Sequence, residues 1–241
     1  MIRFAPALLR RLRRDQSGVA MVEFAVTLPF IVGFGLYSIE LTNYALVNMR
    51  VNQIALGLAD NASRVGTDAT LTTQQLREVD VNDVLQAARY QGRGIRLTTF
   101  GRIVLSSLEN VQQTYDAAPT QRIHWQRCIG LKSGTNYDSL YGTTSATDGT
   151  TATQADDGTL APSGMGPSGS QVSAPAGSGL MFVQISYEYQ PLVSGYFLGT
   201  TAESRRITFN SSYIIRDNRD LSQIYNPSPA ATRSTCNTYA A

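Results

Sequence analysis

This chain has one histidine, one lysine, one tryptophan and two cysteines in 241 residues, and each scarcity excludes some chemistry. With His124 alone, no multi-histidine metal site can be assembled, and no second ligand stands beside it. Cys128 follows His124 by four residues, and on one strand face that is about 13 Å, too far for proton transfer. No G-x-S-x-G, P-loop or G-x-G-x-x-G pattern occurs, and the glycine-rich stretches lack the flanking strand and helix such motifs need. Catalysis is therefore not expected, and neither a metal nor a cofactor is implied. Charge is also scarce, at 16% of residues with a net +2. Residues 1–18 hold five arginines against Asp15, 5 − 1 = +4, so the remainder sums to −2. A basic tail on a weakly acidic body is not the basic face that nucleic acid requires, so no nucleic-acid partner is expected.

The chain does contain one long apolar run, Ser17–Glu40 (SGVAMVEFAVTLPFIVGFGLYSIE), preceded by Arg3, Arg10, Arg11, Arg13 and Arg14. Arginines on that flank keep the N-terminus cytoplasmic and send the rest of the chain across the membrane. A removable secretory signal has a shorter apolar core and ends in small residues. Here the run from Val19 to Ile39 is longer, and Glu40-Leu41-Thr42 is a poor cleavage site. A plain signal anchor needs about 20 apolar residues, which are present. It leaves Glu23 unexplained, because a carboxylate within a bilayer is costly unless shallow or paired.

Gly18 followed by Val19-Ala20-Met21-Val22-Glu23 places that carboxylate five residues past a glycine, just beyond a basic leader. This resembles the processing site of type IV pilins and pseudopilins, which a prepilin peptidase cuts after the glycine. Cleavage would expose the α-amine of Val19, largely charged near neutral pH. Glu23 of one subunit could then pair with the amine of a neighbour inside a fibre. The other reading is an interfacial Glu23 in an uncleaved anchor. Residues 16–66, with Gly18, Val22-Glu23-Phe24-Ala25, Leu28-Pro29, Glu40 and a closing ADNASR, are similar to the TadE-like family, minor pseudopilins of the tight-adherence (Tad/Flp) pilus system. The resemblance implies as partners the prepilin peptidase, other minor pseudopilins, the major Flp pilin, the inner-membrane assembly platform and the lipid bilayer. It also implies an inner-membrane protein whose C-terminal domain is periplasmic and can enter the pilus.

Pro29 is expected to kink or loosen the apolar helix, and Gly33 and Gly35 to permit close approach of another helix. Past Glu40 the helix should continue. Val47, Val51, Ile54, Leu58, Ala62 and Val65 step by 4, 3, 4, 4 and 3, one stripe of an amphipathic helix ending at Gly66. A second helix is expected before Gly92, capped by Thr72 or Thr73, with Leu76, Val79, Val84, Leu85 and Ala88 apolar. Four segments alternate with period two: Ile95 to Leu105; Ile123, Trp125 and Ile129; Val183 to Tyr189; and Ile207 to Ile215. The expected fold is α+β: a long N-terminal helix, transmembrane over 19–40 and periplasmic over 41–66, on an antiparallel sheet of about four strands. Its other face should meet water. The resemblance implies the same pilin-like architecture, with residues 1–18 as leader and 67–241 as the periplasmic domain.

Residues 133–178 are Gly, Ser, Thr, Ala, Pro and Asp with few large apolar side chains, which predicts a flexible, solvated insertion. Asp148, Asp156 and Asp157 lack the ligand spacing of a calcium loop. Gly195-Tyr196-Phe197-Leu198 forms an apolar patch expected either beneath the sheet or against another subunit. Cys128 and Cys236 both fall on the exported side, where an oxidising compartment favours a disulfide over two buried thiols. The alternative function is an uncleaved, membrane-anchored periplasmic binding or scaffold module acting through the insertion.

Overall fold

The computed structural model describes residues 17–66, 73–193 and 201–241. Its first element, α1 (Ser17–Arg64), is one helix of 48 residues, about 72 Å long. No described side chain from Gly18 to Ile39 is buried, and the first to be so is Glu40. Beyond it Val47, Val51, Ile54, Leu58 and Ala62 are all buried, joined by Ala55 and Ala59, and Val65 packs against them. The expected stripe is therefore the face that docks. Each fully buried Val, Ile or Leu contributes roughly 1.5–3 kcal/mol, so this half of α1 is fixed to the domain while the other half is free of it.

After α1 comes α2 (Glu78–Gln91). It starts later than expected, because residues 74–77 run beside the C-terminal segment, with bridges Gln74 to Arg219 and Arg77 to Tyr225. Thr72 lies outside the described residues, and the N-cap position is Arg77 rather than Thr73, with Asp80 accepting from the Arg77 amide at 3.0 Å. Val79 is 40% exposed and Val81 takes the inward position. The expected strand from Ile95 is also corrected. Arg93–Ile95 is a 3-10 turn and α3 (Leu97–Phe100) a single helical turn, with Arg96 left-handed between them. Gly92 accepts from the Leu97 amide at 3.1 Å, so local turns satisfy a backbone that the alternation had assigned to a ladder.

The sheet is antiparallel and five-stranded, in the order β3-β2-β1-β4-β5. Its strands are β1 (Gly101–Val111), β2 (Thr120–Ile129), β3 (Thr159–Leu160), β4 (Ser178–Glu188) and β5 (Arg206–Ile214). One face carries Ile103, Leu105, Trp125, Ile129, Val183, Ile185, Tyr187 and Ile207 against α1 and α2. Register shifts between Ser107 and Leu108, which pair with Trp125 and Ile123, leaving His124 as the extra residue of a bulge. One added residue reverses every side chain beyond it. Ile123 therefore joins Leu108 on the opposite face, not Trp125 and Ile129 as its spacing suggests.

That opposite face is not wet. Leu108, Ile123, Leu180 and Phe182 form a second apolar cluster with Ala161, Met165 and Ala174 of the insertion, against which Tyr141 and Val172 pack. Most of the 133–178 segment stays exposed or half-buried, but it is not solvated throughout: a handful of apolar residues, spread over a polar stretch, meets the sheet at one place. Gly158, with φ +82, lets the segment approach β2, since a Cβ there would overlap the carbonyl oxygen of Ile123. The basic leader and the Gly195–Leu198 patch lie outside the described residues, apart from Ser17 and Gly18 at the leader's end.

Candidate functional site

The sequence directs attention to the start of α1. Gly18 sits within the helix, and a Cβ built on it meets nothing within 4 Å. Glycine costs a helix interior roughly 1 kcal/mol relative to alanine, and nothing among the described residues supplies a packing reason for it. The same holds for Gly33 and Gly35. Val19, Glu23 and Phe24 are all exposed, and among the described residues no hydrogen bond or ion pair reaches Glu23. Pro29 lies inside the continuous helix; lacking an N–H, it leaves the carbonyl of Ala25 without its usual donor. The helix is long and apolar enough to cross a membrane.

Glu40, where the apolar run ends, is drawn into the folded domain. It is fully buried, and three donors converge on it. The Tyr189 hydroxyl donates to Oε1 at 2.6 Å, and the Leu192 and Val193 amides donate to Oε2 at 3.0 and 2.9 Å. Asn43 Nδ2 donates to the Tyr189 oxygen at 2.6 Å, and the Tyr44 ring meets Tyr189 edge-on at 5.1 Å. Burial first, then the bond to Glu40, pushes the Tyr189 hydroxyl well above the usual phenol range. At the boundary of its apolar run, α1 is thus tied to the turn that follows β4. Sequence reasoning missed this because the partners lie some 150 residues away; the only local signal was a carboxylate ending an apolar run. Glu40→Ala removes one acceptor from three donors, the buried Tyr189 hydroxyl and the half-buried Leu192 and Val193 amides, and a buried donor left unpaired costs about 1–3 kcal/mol before relaxation. A destabilisation of about 2–3 kcal/mol is expected in denaturant titration of the detergent-solubilised protein, with Glu40→Gln losing less.

The remaining candidates serve the domain's interior. His124 Nδ1 is 2.9 Å from Glu109 Oε2, and Ser107 Oγ donates to Glu109 Oε1 at 2.6 Å. His124 Nε2 has no partner among the described residues and borders a water-sized cavity lined by Leu76, Trp125, Met181 and Arg219. Burial pulls the imidazole down, but the charge and hydrogen bond of Glu109 outweigh it, leaving the pKa raised; Arg122 opposes and Asp157 assists to a smaller degree. A raised folded-state value means His124 contributes stability below its unfolded pKa of about 6.5 and loses it as pH rises through the folded value. Stability should therefore decline above that pH, and Glu109→Gln should flatten the decline, as read by unfolding midpoints across pH. The bulge also turns His124 and Cys128 to opposite faces, so they share no site.

Cys128 and Cys236 form a disulfide. Arg102, buried beneath the Tyr239 ring, donates to the carbonyls of Gly130 at 2.9 Å and Thr238 at 3.2 Å, fastening the same tail. Arg219 donates to the Ala62 and Val65 carbonyls at 3.1 and 2.6 Å, closing the C-terminus of α1. Among the described residues no His, Cys, Asp or Glu group is arranged to hold a metal. Asp148 instead accepts from Ser145, and Asp156 from Thr151, whose hydroxyl leads the set holding its pKa below the usual range. Asp157 faces Arg122 at 3.8 Å. No family model, curated protein or solved structure matches this chain, so the reading of its anchor rests on the residues themselves.

Proposed function

We propose that this chain is a minor pseudopilin of a Tad/Flp-type pilus system. Val19–Ile39 holds it in the inner membrane, with the arginine-rich N-terminus cytoplasmic and the sheet domain periplasmic. A prepilin peptidase cuts after Gly18, and the chain then joins or primes a nascent fibre with other minor pseudopilins, the major pilin and the assembly platform. The observation that carries this reading is Glu23: a carboxylate in an exposed apolar helix, five residues past Gly18, with neither residue given a packing or bonding partner by the described residues. An α-amine at Val19 of a neighbouring subunit would neutralise it where apolar packing leaves no water. The chain supplies packing and charge pairing, and the motive chemistry belongs to its partners.

Mass spectrometry of the membrane-extracted protein tests the reading. The expected mature chain begins at Val19, and an intact Met1 start in cells with active peptidase would sink the cleavage claim. Glu23→Leu should abolish fibre incorporation while membrane insertion persists. Deleting residues 140–175 is a poor way to separate this from the binding-module reading, because it would strip Met165 and Ala174 from the second cluster.

A further inference from the structure

The apolar surface of α1 does not end at Glu40. Leu41 and Leu46 are exposed beyond it, and an open groove runs along Ile39, Thr42, Asn43 and Leu46, walled on one side by Leu192. Leu192 is 65% exposed and Val193 37%, although their amides are spent on Glu40. Backbone polarity therefore points inward to the carboxylate and both side chains remain outside. The level is also defined. Val19–Ile39 is about 31 Å long at 1.5 Å per residue, matching a hydrocarbon core of about 30 Å. Ile39 then lies at the outer boundary, with Glu40, Leu192 and Val193 beside it.

We infer that the turn Gln190–Val193 is a second membrane contact, an uncharged ledge seated on the outer leaflet of the bilayer and held there by Glu40. A carboxylate at this level would face lipid or headgroups if the turn were absent. Three donors and the turn's own apolar side chains remove it from that surface, and what is presented in its place is leucine and valine. A lipid surface is favoured over a protein partner by continuity: the groove shares Ile39 with the span itself, so whatever surrounds the span reaches the groove without a break. The consequence is mechanical. A domain touching the bilayer at a helix and at a ledge cannot tilt freely about the helix, which sets the orientation of the sheet relative to the membrane plane.

This rests on α1 being the membrane anchor, and the test separates the two. Full-length protein is reconstituted in phosphatidylethanolamine–phosphatidylglycerol vesicles carrying nitroxide on either the headgroup or a deep acyl position. Ile31→Trp and Leu192→Trp are compared, with the unsubstituted protein giving the background of the core residue Trp125. Both positions are exposed, so the probes disturb no packing. The expected result is Ile31→Trp quenched most by the deep label and Leu192→Trp most by the shallow one. Quenching of Ile31→Trp alone leaves the anchor standing and overturns the ledge. A blue-shifted but unquenched Leu192→Trp, the mark of a second copy or another protein in the groove, overturns it too. If neither probe is quenched, the anchor reading fails and the ledge falls with it.

Discussion

Reduction of the Cys128–Cys236 disulfide should cost the protein about 4–5 kcal/mol, the chain-entropy value for a loop of this size. The bond joins residues 108 apart in sequence, across a Cα separation of 4.8 Å. Its local consequence should be confined to the tail. The Cys128 amide donates to the Ser234 carbonyl and the Gly130 amide to the Ala240 carbonyl, both at 2.7 Å. Together with β3, these bonds cover the outer edge of β2, which would otherwise present unpaired donors and acceptors. The Cys236→Ser variant, or wild type with dithiothreitol, should show a lowered denaturation midpoint and faster amide exchange over residues 234–240. A midpoint unchanged to within about 1 kcal/mol would show that the unfolded chain gains little freedom from the cut.

A second large effect is expected at Arg127 and Glu78, both wholly buried. Arg127 Nε donates to Glu78 Oε2 at 3.0 Å, a second guanidinium nitrogen donates to Oε1, and Nη1 donates to the Gln126 carbonyl at 2.8 Å. The pair fastens the first turn of α2 to the C-terminal part of β2. Arg127→Met leaves a carboxylate in a dry interior and should destabilise by about 3–5 kcal/mol. Arg233, 44% exposed and 3.5 Å from Glu78, is the nearest remaining cation and should soften the loss. The double variant Arg127→Met with Glu78→Leu should recover much of it, since apolar replacement of both partners removes the desolvation cost along with the attraction. Urea titrations of the two single variants and the double variant give the coupling; a double variant as unstable as the sum of the singles would contradict this account.

Periodic features were legible before the fold was known. The stripe from Val47 to Val65, the strand from Val183 and the strand from Ile207 follow repeats set by backbone geometry, 3.6 for a helix and 2 for a strand, so their faces could be assigned residue by residue. The failures came where one local event breaks the repeat. Gly92 and Arg96 fold residues 93–100 into turns, and the bulge at His124 turns Ile123 to the far face. The insertion's contact with the sheet was illegible for another reason: its few apolar side chains are too dispersed to signal burial, and only the sheet gathers Ala161, Met165 and Ala174 together.

At the candidate site the division is the same. Gly18, Glu23 and the apolar run are consecutive in the chain, and the physics that singles them out, the cost of a carboxylate among apolar residues, is local. The sequence by itself determined that α1 begins with an apolar run long enough to cross a membrane and that its second half docks by one stripe. Only the tertiary structure decided what Glu40 does, because Tyr189, Leu192 and Val193 reach it through the return of β4 to the helix. A buried charge is defined by its donors, and donors some 150 residues away are visible only once the sheet has formed.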